Sequence, residues 1–327
     1  MGAPVDMHVR LGSVELRSPV LTASGTFASG REYADFMELE RLGALVTKGV
    51  SLEPWAGNES PRIAETASGM LNSIGLQNLG VEAFVERDLR GLDTIDVPVI
   101  VNVCGDSVTE YAHVVRRLDT ESRVDGFEVN ISCPNVDAGG MAFGTDCVSA
   151  ARVTQECRRA TDKLLIVKLS PNVTDIVSIA RAVEGEGADA ISLINTLLGM
   201  SVDVDTFRPR LARTVGGLSG PAIKPVALRM VWQVASAVSV PVIGMGGIMT
   251  AEDAVEFLLA GATAIAVGTA NFVDPTATMR ITDGLVEFCR TRGIERVTEL
   301  IGALDTSSAG GPTSGDAHDH RQENADA

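Results

Sequence analysis

The feature of this sequence that most restricts its fold is an eightfold alternation of apolar, strand-like segments with helix-like segments. Each predicted strand is short and continuously apolar, which is typical of strands buried on both faces of a parallel sheet. The predicted strands are 19–23, 44–47, 97–101, 126–130, 164–167, 190–194, 241–245 and 264–267, and the predicted helices are 31–42, 81–90, 109–118, 149–160, 175–184, 225–237, 251–260 and 277–292. Eight such units in a chain of 327 residues predict an α/β fold, the (β/α)₈ TIM barrel.

Other segments fit the same fold. Two short strands around Gly12-Ser13 predict an N-terminal β-hairpin that covers one end of the barrel. A doubly wound sheet is the alternative, but no GxGxxG follows any predicted strand. We expect the barrel domain to span 1–304, and the polar segment 305–327 to be a disordered tail because it has few apolar residues.

Every predicted barrel strand ends on a polar residue or a glycine. Barrel enzymes build their active sites at the C-terminal ends of the strands, so this pattern predicts a functional site there. The residues at these ends are Ser24, Lys48, Asn102, Asn130, Lys168, Asn195, Gly246 with Gly247, and Gly268 with Thr269.

The last two strand ends predict a phosphate site. Gly246-Gly247 follows the seventh strand and Gly268-Thr269 the eighth. The loops at these two positions commonly bind phosphate in barrels through backbone N–H groups, which glycine allows to approach closely. The other interpretation is two ordinary turns, since glycine is common after a strand.

The segment GFEVNISCPN, residues 126–135, predicts a reactive thiol. Its first half reads as a buried strand that ends at Asn130, and Cys133 lies on the loop that follows. A free cysteine is more often a small core residue. The neighbouring Ser132, Pro134 and Asn135 are not core residues, however, and none of the four histidines lies in a loop that looks functional.

Two insertions, 50–80 and 197–224, interrupt the alternation and are predicted to stand over the C-terminal face of the barrel. Loops of this length in a compact domain are commonly functional. The first carries Asn72 and Asn78, whose amides can donate and accept hydrogen bonds toward a flat polar ligand. Turn formation is the alternative explanation for both.

Composition limits the possible partners and location. The formal net charge of −16 argues against binding to nucleic acid or to anionic membranes. The five cysteines form no CxxC pair, so we expect neither a metal or iron–sulfur site nor a disulfide framework, and free thiols suit a reducing cytoplasm. The N-terminus has no signal-peptide pattern, and no run approaches the roughly 18 apolar residues of a membrane span.

Nine motifs, in this order, resemble the dihydroorotate dehydrogenase family, most of all its class 1, NAD-linked (1B) form. They are TASGTFASGREY, TKGVSLEPWAGNESPRIAET, GMLNSIGLQN, FEVNISCPNV, VKLSPN, SLINT, GGLSGPAIKP, MGGI and AVGTA. The resemblance covers nearly all of residues 5–300 and implies a (β/α)₈ barrel that holds FMN. One departure is Leu79, where the family often has Pro after the QN pair.

The resemblance also implies roles for individual residues. It makes Cys133 the catalytic base, and Lys48 is assigned a role in offsetting charge on the substrate and the reduced flavin. The flavin contacts implied are Ser24, Lys48, Gly49, Asn102, Asn130, Lys168, Ile194, Gly220, Gly246, Gly247, Gly268 and Thr269. The substrate contacts implied are Lys48, Asn72, Ser73, Ile74, Gly75, Leu76, Asn130, Asn195 and Thr196.

The activity implied is the oxidation of (S)-dihydroorotate to orotate in UMP biosynthesis. Cys133 would remove the C5 proton, while the C6 hydride would pass to FMN. NAD would be the final acceptor, reached through a partner subunit that carries FAD and a [2Fe–2S] cluster. The family arrangement implies a homodimer within a heterotetramer.

Four alternatives remain open at this point. A fumarate-linked class 1A enzyme would share the half-reaction. A dihydropyrimidine dehydrogenase relative would carry SCPH where this chain has SCPN. A non-oxidative barrel, such as a phosphosugar isomerase or aldolase, would use only the phosphate site. A purely structural barrel is least favoured, because all eight strand ends carry polar groups or glycines.

Overall fold

The computed structural model describes residues 4–132 and 143–307. The strands of these residues are β1 (Val9–Leu11), β2 (Val14–Leu16), β3 (Val20–Thr22), β4 (Leu45–Val46), β5 (Ile63–Thr66), β6 (Gly69–Asn72), β7 (Val99–Val103), β8 (Gly126–Asn130), β9 (Leu164–Lys168), β10 (Ala190–Leu193), β11 (Leu197–Gly199), β12 (Val202–Asp203), β13 (Arg208–Pro209), β14 (Gly216–Ser219), β15 (Val242–Met245) and β16 (Ala264–Val267). The α-helices are α1 (Val81–Ala83), α2 (Val108–Asp119), α3 (Cys147–Arg158), α4 (Ile176–Gly185), α5 (Lys224–Ala235), α6 (Ala251–Leu259), α7 (Ala270–Val273) and α8 (Ala277–Arg292).

Eight strands form a parallel barrel. Their order in the sheet is β3-β16-β15-β10-β9-β8-β7-β4. A parallel bridge between Leu21 and Ala44 joins the two outer strands, so the sheet closes on itself. The predicted (β/α)₈ fold is confirmed, and each predicted strand overlaps one strand of this barrel.

The barrel strands are buried on both faces, as their continuous apolar sequences predict. Every residue of β7, β8 and β9 is buried. One set of side chains fills the barrel, and the other set packs against the surrounding helices.

Four helices begin at a side chain that accepts a hydrogen bond from the first turn, which satisfies an otherwise unpaired N–H. These capping residues are Ser107, Asp146, Asp175 and Thr250.

The N-terminal hairpin covers the end of the barrel where the strands begin. β1 and β2 pair antiparallel, with Val9 opposite Leu16. A Cβ added at Gly12 would lie 3.0 Å from Asp189 Cβ and 3.1 Å from Leu164 Cδ1, and these two residues stand at the starts of β10 and β9. The predicted hairpin and its position are therefore confirmed.

The predicted helix 31–42 is wrong. The segment forms two short 3-10 turns, Arg31–Tyr33 and Leu39–Arg41. The ring of Tyr33 stacks on Phe27 with centroids 3.9 Å apart, and its hydroxyl donates to the backbone oxygen of Thr26 at 3.0 Å. These tertiary contacts fold the segment back on the preceding loop, and they override its helical propensity.

The predicted helix 81–90 is only partly an α-helix. After the three residues of α1, Phe84–Leu89 form a π-helical turn and Arg90–Leu92 a 3-10 turn. Phe84, Val85 and Leu89 are all buried in this segment. The apolar spacing therefore predicts a buried helical face correctly, but it does not distinguish an α-helical from a π-helical turn.

The two long insertions contain strands that the sequence did not reveal. β5, β6, β11 and β14 form an antiparallel sheet in the order β11-β14-β6-β5, so strands from both insertions join in one layer. We call this sheet the cover sheet. β12 and β13 form a separate hairpin, whose connecting residues Val204 and Phe207 are exposed.

No helix within 4–132 or 143–307 is long and apolar enough to cross a membrane. The predicted tail, 305–327, falls almost wholly outside the described residues, so the boundary at residue 304 stays a prediction.

Candidate active site

A cavity of 640 Å³ lies at the C-terminal ends of the barrel strands and beneath the cover sheet. Pockets for small ligands and cofactors commonly measure about 300–1,000 Å³. All the predicted flavin and substrate contacts line this cavity: Ser24, Lys48, Gly49, Asn72, Ser73, Ile74, Gly75, Leu76, Asn102, Asn130, Lys168, Ile194, Asn195, Thr196, Gly220, Gly246, Gly247, Gly268 and Thr269. Cys133 lies outside the described residues, while Ser132, which precedes it in the sequence, lines the cavity.

One wall of the cavity presents backbone N–H groups. Gly246 and Gly247 follow β15 with φ angles of 126° and 79°, a region that favours glycine. Among the described residues, the N–H groups of Gly247 and Gly268 donate to no backbone oxygen outside the strand ladders, and both residues line the cavity. Because unpaired N–H groups that face a cavity attract anions, this wall is suited to a phosphate group.

The glycines of this wall differ in how tightly they are packed. A Cβ on Gly247 would lie 2.8 Å from the carbonyl oxygen of Gly220 and 2.9 Å from the backbone nitrogen of Lys224. A Cβ on Gly268 would have its nearest neighbour, Ala23 Cβ, at 3.4 Å. The packing of the loop itself therefore requires glycine at 247, whereas position 268 has room for a small side chain.

Lys224, whose Cβ would lie 2.8 Å from a Cβ added at Gly247, is already paired. Its ammonium group donates to Asp253 at 2.6 Å and to Glu256 at 2.9 Å. The hydrogen bond that Lys224 donates to Asp253, helped by the one it donates to Glu256, raises the pKa of Lys224. Lys224 thus ties α5 to α6, and the backbone N–H groups remain the donors that face the cavity.

Lys168 lies at the floor of the cavity, where β9 ends. Its side chain is 5% exposed, and its ammonium group donates to Ser24 Oγ at 3.0 Å. The carboxylate of Glu128 lies 3.9 Å from the same ammonium nitrogen. A positive charge is therefore held at the base of the cavity by groups from three barrel strands or strand ends.

A chain of polar side chains forms the wall beside Asn130. The amide of Asn195 donates to Ser132 Oγ, and Ser132 Oγ donates to Asn130 Oδ1. The hydroxyl of Tyr111 donates to the backbone oxygen of Asn130 at 2.8 Å and fixes the end of β8. Three strand-end side chains are thus ordered at the cavity surface, next to the segment that contains Cys133.

The cover sheet and two loops beside it add further amides. Asn72, at the end of β6, donates to the carbonyl oxygen of Gly217 at 3.2 Å and so links the two insertions. Asn58 donates to Ser73 Oγ at 3.0 Å, and Asn172 donates to the carbonyl oxygen of Thr196 at 3.1 Å. Amide groups therefore surround the mouth from several directions, as a planar ligand with several N–H and C=O groups requires.

Asn78 does not take part in the cavity, and its suggested ligand role is wrong. Its oxygen accepts from the backbone N–H groups of Ser51 and Gly80, and its nitrogen donates to the carbonyl oxygen of Leu76 at 2.9 Å. Turn formation, the alternative explanation, accounts for this residue.

Sequence reasoning missed several residues of the site. Asn58, Asn172, Ser132 and Ser219 line the cavity, and Glu128 lies directly beneath it. The signal for Glu128 was available, since a charged residue stands in the middle of a strand that is otherwise apolar. No local pattern marked Asn58, which reaches the cavity only because the cover sheet folds over the barrel.

Two other thiols are buried structural residues. Burial raises the pKa of Cys157, on α3, to about 12. Burial also raises the pKa of Cys289, on α8. Both thiols are therefore poor proton acceptors near neutral pH, and neither lines the cavity.

Comparison with known proteins identifies relatives along most of the chain. Residues 7–289 match the family model described as dihydroorotate dehydrogenase. The chain is 58% identical over 299 residues to a Trichlorobacter lovleyi protein named dihydroorotate dehydrogenase B (NAD(+)), catalytic subunit, covering 91% of this chain and 98% of the relative. It is also 58% identical over 306 residues to the protein of the same name from Geotalea uraniireducens, covering 94% of this chain and 100% of the relative.

A solved structure supports the fold. The crystal structure of DHODH from Eimeria tenella in complex with ferulenol superposes with a TM-score of 0.77 at 22% sequence identity. The match covers 91% of this chain and 88% of the other. At this identity the likeness bears on the barrel fold alone.

Proposed function

Because this chain belongs to the dihydroorotate dehydrogenase family, we propose that it is the catalytic subunit of an NAD-linked dihydroorotate dehydrogenase. It oxidises dihydroorotate to orotate, a step of pyrimidine biosynthesis. The observation that carries the proposal is that one cavity is lined by three kinds of group. They are the glycine wall, formed by Gly246, Gly247 and Gly268, the buried Lys168, and the amides of Asn72, Asn130 and Asn195.

The cavity has the features that FMN requires. The glycines 246, 247 and 268 line the cavity and let the backbone N–H groups of their loops approach its phosphate closely. Lys168 places a positive charge at the cavity floor, which would offset the negative charge of a reduced flavin held there. When bound, FMN supplies the hydride acceptor for C6 of dihydroorotate.

The amides hold the substrate. Asn72, Asn130 and Asn195 can match the N–H and C=O groups of the dihydropyrimidine ring, because each amide both donates and accepts. Lys48 and Thr196 complete this set, and Lys48 balances the negative charge of the orotate carboxylate. Such fixed donors orient the ring before the reaction and lower the entropic part of the barrier.

Cys133 removes the proton from C5. A cysteine thiol has a pKa near 8.5, so it needs a favourable position beside the substrate to act as a base at neutral pH. The support for this role is the SCPN motif together with the position of Ser132, the preceding residue, at the cavity wall.

Electrons leave this chain for a separate subunit. The names of the relatives describe a catalytic subunit and an NAD-linked enzyme. We propose that the partner carries FAD and a [2Fe–2S] cluster and that two catalytic chains pair within a heterotetramer.

The first test is made on the purified chain. We expect a yellow protein with one FMN per chain, bleached by dihydroorotate without oxygen and able to pass electrons to an artificial dye. Dihydrouracil should be turned over far more slowly. A colourless chain that takes up no FMN would contradict the proposal, and a preference for dihydrouracil would favour a dihydropyrimidine dehydrogenase.

A further inference from the structure

Glu128 places a negative charge inside the barrel, directly below the cavity. It lies in the middle of β8 and is 2% exposed. Because Phe127 and Val129 point to the opposite face of the strand, Glu128 points into the barrel. A carboxylate in such surroundings is strongly unfavourable unless it is paired and hydrogen-bonded, so its presence calls for an explanation.

The contacts of Glu128 tie it to the groups that face the cavity. Its Oε2 accepts from Asn102 Nδ2 at 2.6 Å and lies 3.9 Å from the ammonium nitrogen of Lys168. Its Oε1 accepts from Ser192 Oγ at 2.8 Å. Asn102 and Lys168 both line the cavity, whereas neither Glu128 nor Ser192 does.

We propose that Glu128 is a positioning residue that sets the redox potential of the bound flavin. It holds the side chains of Asn102 and Lys168 in one arrangement, and its charge offsets the charge of Lys168 at the cavity floor. A flavin above this pair therefore meets less positive charge than Lys168 alone would present. The proposal rests on the FMN site proposed above.

The direction of the effect follows from charge. Reduced flavin is more negative than oxidised flavin, so a nearby positive charge favours the reduced form. Glu128 opposes that preference and keeps the midpoint potential low, which favours transfer of electrons onward to the partner. A glutamate that only stabilised the core would affect unfolding and leave the potential unchanged.

The test compares Glu128→Gln with Ser192→Ala in the full, FMN-loaded chain. Glu128→Gln keeps the shape of the side chain and removes its charge, whereas Ser192→Ala removes a neutral hydrogen bond to the same carboxylate. In Glu128→Gln, we expect the equilibrium ratio of reduced to oxidised bound flavin to be at least tenfold higher than in the parent. For a two-electron couple, a tenfold change is a positive shift of about 30 mV in the midpoint potential of the flavin. Glu128→Asp, which keeps the charge, should stay close to the parent.

Spectroelectrochemical titration gives the potential, and the ratio of the dissociation constants of oxidised and reduced FMN provides an independent measure. A shift in Glu128→Gln no larger than that in Ser192→Ala would overturn the proposal. If Glu128→Gln does not fold, the doubly substituted Glu128→Gln/Lys168→Met, in which no unpaired charge is buried, is compared with the parent. Because Glu128 offsets the charge of Lys168, removal of both charges should leave the midpoint potential within about 30 mV of the parental value. A larger fall in the potential, as expected for loss of an uncompensated lysine charge, would overturn the inference.

These outcomes are separable from failure of the proposed function. If the parent chain binds no FMN, the proposed function itself fails and no potential is measured. If the parent binds FMN and turns over dihydroorotate, the comparison of potentials decides the role of Glu128 alone.

Discussion

Asn78 and Asn195 are chemically identical residues with different roles, and only the folded chain distinguishes them. Asn195 lies at the cavity and donates to Ser132 Oγ, whereas the side-chain oxygen of Asn78 accepts hydrogen bonds from backbone N–H groups of its own loop. Both stand in polar stretches that are equally consistent with a turn or a ligand contact. The sequence could therefore identify candidate amides, but the direction of each amide depends on contacts between segments that are distant in the chain.

Asn195→Ala is expected to weaken substrate binding. The change removes one amide that we assign to the dihydropyrimidine ring, so KM for dihydroorotate should rise about tenfold, as loss of one hydrogen bond does. FMN content should stay at the parental level. The measurement is steady-state kinetics with an artificial dye, and an unaltered KM would remove Asn195 from the substrate site.

The matched control is Asn78→Ala. It should lower the free energy of unfolding by about 1–3 kcal/mol, because several backbone groups of the loop lose their partner. Denaturant titration measures this loss. A larger rise in KM for Asn78→Ala than for Asn195→Ala would reverse the two assignments.

Cys133→Ser is expected to stop proton removal while leaving the flavin in place. Loss of a general base lowers rates by about two orders of magnitude or more at neutral pH. Activity should recover in part at high pH, since a hydroxyl ionises less readily than a thiol. Cys147→Ser, at the start of α3 and away from the cavity, serves as the control. Equal rates for Cys133→Ser and the parent at pH 7 would refute the assignment.

At the scale of elements, the glycine loops after β15 and β16 differ in how much space they leave for a side chain. A valine at 247 would be forced against the backbone of Gly220 and Lys224, so it would disturb the loop as well as any bound phosphate. A Cβ at 268 would meet no atom closer than 3.4 Å. Position 268 is therefore the sharper probe of phosphate binding.

We expect Gly268→Val to fold like the parent and to bind FMN at least tenfold more weakly, because its methyl groups obstruct the close approach of the phosphate. Gly247→Ala should lose about 1–3 kcal/mol of folding free energy through overpacking. Flavin fluorescence measures binding, and thermal unfolding measures stability. Parental FMN affinity in Gly268→Val would count against the glycine wall as the phosphate site.

The elements that the sequence predicted correctly are those with a strong local pattern. The barrel strands could be located because their apolar runs end abruptly at residues such as Lys168 or Gly246. The predicted helix at 31–42 failed because Tyr33 is held by Phe27, a contact that no periodicity reveals. The cover sheet was missed because β6 and β14 pair across 145 positions of sequence, as the hydrogen bond from Asn72 to Gly217 illustrates.

At the scale of the whole molecule, the proposed function requires the electrons to leave this chain for an acceptor outside it. We expect the isolated chain to reduce an artificial dye with dihydroorotate but to reduce NAD at a rate near zero. Addition of the partner subunit should restore NAD reduction without changing dye activity greatly. The assay compares NAD, fumarate and dye with and without the partner, and rapid fumarate reduction by the chain alone would indicate the class 1A enzyme.

The segments near the two ends of the described chain meet at one place. Asp6 and Arg296 form a parallel bridge, and the N–H of Val297 donates to the carbonyl oxygen of Asp6 at 2.8 Å. Farther on, Gly302 donates to Leu258 at the end of α6, on the side where the hairpin covers the starts of the strands. A surface, an electrode or a fused domain attached through either of these segments would therefore leave the mouth of the cavity facing outward.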